Sequence, residues 1–310
     1  MSTIDRRHFL LGTAAVLTLA ACGDKSDSGD SGEARDSGTA RALSISAIPD
    51  QDPELLNRLY PKVADRFSKA TGLEVTYRPL TDYTAVVRAF QVGDIHLAWM
   101  GGLTGVQARE LVPEAEAIVQ RDIDEAFTSL FIATRSSGLQ PFDDVEGLKS
   151  LAGHTLTFGS DTSTSGRLMP QHFLQQAGLD ESELRGSPGF SGSHDATIEA
   201  VATGSFEVGA VNEQVFRAAE KAGKVDLSDV VVLWRTPGYA DYHWLIRPDV
   251  DKVWGDGTRQ AICDLLLGLD AADPRDAEIL ELFGAGSFIR TKNENYDQLA
   301  AVAREQGLLA

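Results

Sequence analysis

At 310 residues the chain is long enough for about two domains with an ample core. Its 46 acidic against 28 basic residues give a formal charge of -18, which excludes a nucleic-acid partner, because phosphates demand a positive footprint. An anion bound by such a molecule must be held by local dipoles, since surface charges are screened beyond roughly 8 Å at physiological salt.

In chain order, Asp5-Arg6-Arg7-His8-Phe9-Leu10-Leu11 and the apolar run to Ala21 have the charged and apolar regions of an export signal over residues 1–21. The run is too short to anchor stably across a bilayer. Arg6 and Arg7 before Phe9-Leu10 resemble a twin-arginine (Tat) signal, although paired arginines also suit an ordinary one. Leu19-Ala20-Ala21-Cys22 resembles a lipobox, so Cys22 is expected to carry lipid and to hold the protein on the periplasmic or outer face of the cytoplasmic membrane. Residues 22–42 are then the lipidated cysteine and a Ser-, Gly- and Asp-rich tether with almost nothing apolar to bury. Cys263 is left alone and is expected in the core, so no disulfide framework exists.

Leu43 to Ile48 alternates like a strand, and Leu55, Leu56, Leu59, Val63 and Phe67 keep helical spacing up to Gly72. Leu73 to Tyr77 reads as a second strand. A helix capped at Thr81-Asp82 carries Val86, Ala89 and Phe90 to Gly93, before a strand from Ile95 to Trp99. Strand alternating with helix predicts an α/β fold with mostly parallel sheet order, and binding groups at the carboxyl ends of the strands. Phe127 to Thr134 is expected to leave the first domain and Val230 to Trp234 to lead back. The expected lobes are therefore residues 43–133 plus 236–310, and 134–235. Helices are expected over 257–269, 276–283 and 296–306.

Within the second lobe, Thr155 to Phe158 should be a strand that ends at GSDTSTSGRLMP, Gly159 to Pro170. Hydroxyls at Thr162, Ser163, Thr164 and Ser165 meet a helix start that runs to Gly178. A helix start leaves about four N–H groups without intrahelical partners, and its dipole favours negative charge. The stretch therefore reads as an anion cradle or as an ordinary hydroxyl N-cap.

The chain also echoes itself. AVVRAFQVGDIHLAWMG, from Ala85, aligns without gaps on ATIEAVATGSFEVGAVN, from Ala196, which places Tyr83 opposite His194 and Met100-Gly101 opposite Val211-Asn212. The echo reads either as a duplicated unit or as the common look of any helix, glycine stop and strand.

No phosphate-binding loop, dinucleotide fingerprint, nucleophile elbow or zinc-protease motif occurs, and the six histidines lack metal spacing. Catalysis has no sequence support, so a non-enzyme without cofactor or metal is expected. An exported enzyme and a ligand-sensing receptor subunit remain the rival readings.

From Leu43 to Phe288 the chain resembles the phosphonate, phosphite and phosphate solute-binding proteins of ABC importers. The resemblance is carried by Asp82-Tyr83, Ala98-Trp99, Ser163-Thr164-Ser165-Gly166, Gly192-Ser193-His194, Asn212-Glu213 and Asp241. Within that family, TDYTAVVRAFQVGDIHLAWMGG and TPGYADYHWLIRPD look most like a branch labelled selenate-binding, so the resemblance implies selenate as the ligand, with a phosphonate or phosphite/phosphate ligand as the alternative. The resemblance implies a type II periplasmic-binding-protein fold, two α/β lobes around a ligand cleft, that delivers a small tetrahedral oxyanion to a permease and its ATPase, as a monomer. It implies Tyr83, Ser163, Thr164, Ser165 and His194 as donors to the ligand, and Glu213 and Asp241 as carboxylates that meet the rest of it. Asn212 joins the site set as the residue that faces a fully ionised oxyanion if Glu213 turns away. A second tyrosine of the phosphonate binders falls near Met100 here, which speaks against an aminoalkylphosphonate. Trp99 is read as core or hinge rather than ligand contact, and Arg167 as a surface or rim residue.

Overall fold

The structure, a computed structural model, describes residues 41–309; the expected export signal, Cys22 and nearly all of the tether lie outside the described residues. The chain runs β1 (Leu43–Ala47), α1 (Pro53–Thr71), β2 (Val75–Tyr77), α2 (Tyr83–Val92), β3 (Leu97–Met100), α3 (Gly102–Leu111) and β4 (Glu116–Arg121). It then crosses to a second sheet through β5 (Ser129–Thr134), β6 (Leu156–Phe158), α4 (Met169–Ala177), β7 (Gly189–Phe190), α5 (His194–Ala202), β8 (Val208–Asn212), α6 (Glu213–Lys221) and β9 (Val230–Arg235). It returns as β10 (His243–Ile246) and ends with α7 (Val250–Trp254), α8 (Thr258–Leu267), α9 (Pro274–Phe283), β11 (Phe288–Arg290) and α10 (Asp297–Glu305).

Local chemistry accounts for the elements. β1 is LSISA with every residue buried, as a strand covered on both faces requires. Asp52 caps α1 by accepting from the Glu54 N–H, Pro53 occupies the first turn, and Leu56, Tyr60, Val63 and Phe67 form the buried stripe. Among the described residues Cys263 is buried and free, as the composition implies, and no helix is long and apolar enough to cross a membrane.

Two sheets result, β11-β4-β10-β3-β1-β2 and β7-β6-β8-β5-β9. The expectation of mostly parallel order is corrected here. β1 is parallel to β2 and β3, and β6 to β7 and β8, but β10 and β5 each enter antiparallel between the two halves of their sheet. The physical reason is the crossing itself: a strand arriving from the other lobe meets the sheet from its far end.

The internal echo is a structural repeat. β1 pairs with β2 at Leu43↔Val75 and β6 with β7 at Thr157↔Gly189, the same separation along the chain. Likewise Ile45↔Leu97 in the first sheet matches Leu156↔Val208 in the second. The repeat sets Tyr83 and His194 each as the first residue of a helix, after caps Asp82 and Ser193 that accept from the Ala85 and Ala196 N–H groups. Both lobes thus aim equivalent helix N-termini toward one another.

The two crossings lie side by side. Phe127 and Tyr239 exchange backbone hydrogen bonds of 2.8 and 3.0 Å. Beneath them the Arg121 guanidinium packs on Tyr242, Phe127 and Trp99 and is neutralised by Asp124 at 2.6 and 2.7 Å. Trp99 itself stacks on Tyr242 and meets Phe283 edge-on, so it belongs to the aromatic core under the crossings.

Candidate ligand-binding site

Helix starts from both lobes converge on one point, and their chemistry is that of an anion site. The cradle begins with Ser163, whose Oγ accepts from the Gly166 N–H at 3.0 Å. Residues 164–168 then form one wide π-turn before α4 continues. Pro170 has no N–H to give to the preceding turn, and the carbonyls it leaves are met by others. The Ser165 carbonyl accepts from Ser129 Oγ at 2.6 Å, and the Gly166 carbonyl accepts from the Gly159 N–H at 2.8 Å. The widened turn presents the Thr164 and Ser165 hydroxyls together.

Thr164 Oγ1 accepts from the Leu103 N–H at 2.9 Å, across the cleft at the start of α3. Gly101 allows this approach: a Cβ there would lie 3.2 Å from Thr164 Oγ1 and 3.3 Å from Asp241 Oδ1. Asp241 Oδ1 accepts from the Gly102 N–H at 2.9 Å, while its Oδ2 is buried without a hydrogen-bond partner. Burial pushes the Asp241 carboxyl up to about 7, against the Gly102 N–H, which works to lower it.

His194 is fully buried, and burial depresses its imidazole to about 3, so the ring is neutral at physiological pH. Its Nδ1 accepts from the Asn212 N–H at 3.3 Å, which places the proton on Nε2. Nε2 lies 3.4 Å from Ser165 Oγ and 3.5 Å from the Tyr242 hydroxyl, long distances that leave the donor free for a ligand. The Tyr83 hydroxyl, beside Ser163, is buried with no hydrogen-bond partner.

Of the eight residues singled out in the sequence, the structure brings Tyr83, Ser163, Thr164, Ser165, His194, Asn212 and Asp241 together. Asn212 is committed elsewhere: its Oδ1 caps α6 through the Gln214 and Val215 N–H groups, and its Nδ2 donates to the Tyr242 hydroxyl. The Glu213 carboxylate is held by partners outside this set. It accepts from Thr128 Oγ1 and Arg235 Nε, both at 2.5 Å, and these partners hold it below the usual carboxylate range despite burial. Arg167 lies over Phe158 and Phe190 at the edge of the cradle.

Two residues that the sequence did not single out, Asp50 and Tyr242, pack against the cluster. Asp50 follows β1 at its carboxyl end, is buried, and has its carboxyl pushed up to about 6 by burial, with the Tyr242 hydroxyl acting the other way. Its position after a strand and a proline was a usable signal. Tyr242 carried none, since it differs from its neighbours in TPGYADYHW only by where the crossing places it. Among the described residues no His, Cys, Asp and Glu group could hold a metal ion. The cluster is a set of neutral donors around one unpaired buried carboxyl oxygen, edged by the Arg167 guanidinium, whose Nε and Nη1 are likewise buried without a hydrogen-bond partner.

A family profile described as ABC transporter, phosphonate, periplasmic substrate-binding protein matches residues 45–296. The chain is 39% identical over 266 residues to a probable ABC transporter phosphite-binding protein of Prochlorococcus marinus, covering 86% of this chain and 90% of the relative. It is 27% identical to a phosphate-import protein of Mycolicibacterium smegmatis over 74% of each chain. The structure of the Prochlorococcus marinus protein with methylphosphonate superposes with a TM-score of 0.84 at 38% identity, over 86% of this chain and 98% of that one. A binding component of a phosphonate transporter from Pseudomonas aeruginosa shares the fold, with a TM-score of 0.73 at 18% identity over 84% and 85% of the two chains.

Proposed function

This chain belongs to the periplasmic phosphonate substrate-binding protein family of ABC transporters, and on that premise we propose that its cleft captures a small phosphorus oxyanion carrying one proton, of the phosphite or methylphosphonate kind. The observation that carries the reading is the pairing of orphaned groups: the Tyr83 hydroxyl and Asp241 Oδ2 are both buried and unpartnered. Tyr83, Ser163, Ser165 and His194 Nε2 supply donors to the unprotonated oxygens. Asp241 Oδ2 accepts the remaining P–OH. A fully ionised selenate has no proton to give and, above pH 7, where the Asp241 carboxyl is ionised, would meet a repelling carboxylate, so the selenate label gives way to the phosphorus reading, which the relatives also favour.

The magnitudes suffice without a free cation. Hydrogen bonds to a charged group contribute about 1.5–3 kcal/mol each, and micromolar affinity needs about 8 kcal/mol net. The four donors named, with the P–OH bond to Asp241 as a fifth hydrogen bond, reach that after desolvation and closure are subtracted. In this reading the two lobes close about the paired crossings, the second lobe starting at β5, which joins the second sheet from Ser129 onward and so moves the expected boundary at residue 134 back by five residues, and the closed form is what a permease and its ATPase recognise. Lipid on Cys22 would keep a monomeric binder at the membrane.

The test is calorimetric titration of the purified protein with methylphosphonate, phosphite, phosphate, sulfate and selenate. Micromolar or tighter binding of methylphosphonate or phosphite, with sulfate and selenate weak, is the expected result. Selenate binding more tightly than every phosphorus oxyanion would overturn the reading.

A further inference from the structure

The internal repeat makes the cleft nearly symmetric, and the departure from symmetry is informative. The repeat places His194 on Tyr83, and by the same offset Asp195 on Thr84 and the α1 cap Asp52 on the cradle cap Ser163. Each lobe therefore sets the first turn of one helix against the cap of a helix in the other lobe. In one pair, Tyr83 stands beside Ser163 with its hydroxyl orphaned, and this is the side taken above for ligand. In the other pair the groups bond directly to each other. Asp195 Oδ2 accepts from the Asp52 N–H at 2.8 Å, and the His194 N–H donates to the Asp50 carbonyl at 3.1 Å.

We infer that Asp195 is a positioning residue that latches the closed cleft, by seating its carboxylate on the N-terminal end of α1 in the opposite lobe. The inference rests on the binding reading above, since a latch matters only if the lobes close on a ligand. Three observations support it. First, Ser193 Oγ already caps α5 through the Ala196 N–H, so the Asp195 carboxylate is not needed to terminate its own helix. Second, the N–H from which it accepts belongs to the cap residue of α1, where the helix dipole favours an anion. Third, the equivalent Thr84 makes no such bond and instead lines an open groove between α2 and α3, so the device exists on one side only.

The groups facing Asp195 fit this role. Burial raises the Asp195 carboxyl above the usual range, the Asp52 backbone N–H and Lys224 act the other way, and the Asp52 carboxylate adds to the rise; Asp50 contributes its carbonyl to the neighbouring bond. The Asp52 carboxylate is itself occupied by the Glu54 N–H at 2.8 Å. A contact formed only after the lobes have met should govern how long the ligand stays, and leave its arrival unchanged.

The experiment is stopped-flow fluorescence of methylphosphonate binding to wild type, Asp195→Ala and Asp195→Asn, with thermal unfolding of each unliganded protein. Asp195→Ala is expected to raise the dissociation rate about tenfold, the worth of one charge-assisted hydrogen bond. Its association rate and unliganded melting should match wild type, and Asp195→Asn, which keeps an acceptor oxygen at the same reach, should restore most of the residence time. An unchanged dissociation rate in Asp195→Ala overturns the latch, as does a lowered unliganded melting temperature with no recovery in Asp195→Asn. Failure of wild type to bind methylphosphonate and phosphite would instead remove the binding reading itself.

Discussion

Burial drives Asp241 and His194 in the same direction, toward neutrality, but their consequences for pH are opposite. The Asp241 carboxyl is raised to about 7 in the fold, so between the ordinary aspartate range and pH 7 the native state holds a proton that the unfolded chain has lost. Its contribution to stability is therefore present at low pH and is lost as pH rises through 7. His194, lowered to about 3, contributes stability above the unfolded histidine value that is lost on acidification. Asp241→Asn should thus gain stability relative to wild type as pH is raised from 5 to 8, as thermal unfolding in matched buffers would report. In the same variant the Gly102 N–H keeps the amide oxygen, which leaves an NH2 donor where Oδ2 would accept the ligand's P–OH, so its methylphosphonate affinity should fall about 10- to 100-fold by calorimetry. An unaltered affinity would place the proton acceptor elsewhere, with Asp50 the next buried carboxyl to change. Glu213 and Asp241 could not be ranked from sequence. Which of two acidic residues keeps a free oxygen depends on whether an arginine such as Arg235 reaches it, and that is a tertiary fact.

At the scale of elements, helix starts do most of the positioning, and α3 illustrates how tightly they are placed. A Cβ on Gly105 would lie 2.2 Å from Nε2 of the buried His243, whose ring packs on Tyr296 at 4.2 Å. Neither ring can withdraw, because Tyr296 is fully buried and its hydroxyl donates to Gln120 at 3.1 Å. Gly105→Ala should therefore destabilise by about 1–3 kcal/mol, the usual cost of overpacking, as measured by urea unfolding. It should also weaken ligand binding, because lifting α3 moves the Gly102 and Leu103 N–H groups from Asp241 and Thr164. The sequence marked Thr81-Asp82, Gly93 and the GSDTSTSG run because caps and stops are local chemistry. α3 and α6 went unmarked: the first opens on Gly-Gly, without a capping side chain, and the second on an Asn-Glu pair that the resemblance had drawn into the site.

For the whole molecule, closure is the quantity that the proposed function makes couple binding to transport. A ligand that binds the closed fold and not the unfolded chain should stabilise by about 2.7 kcal/mol at one hundred times its dissociation constant. Methylphosphonate at that excess should raise the melting temperature and reduce the radius of gyration in solution scattering, whereas selenate at the same concentration should do neither. A raised melting temperature without compaction would argue for binding to lobes that are already shut. Hydrophobic periodicity determined that the chain is α/β, capping residues determined where several helices begin, and the hydroxyl run after a strand determined where an anion could be met, because each depends on neighbours within a few residues. The repeat was legible for the same reason, as two copies of one local pattern. Only the tertiary structure decided that each sheet is mixed, that Tyr242 and Asp50 meet beside His194 and Tyr83, that Glu213 pairs with Thr128 and Arg235, and that Asp195 bonds to the start of α1. Those outcomes depend on where two crossing strands bring distant segments together, and no local pattern encodes that meeting.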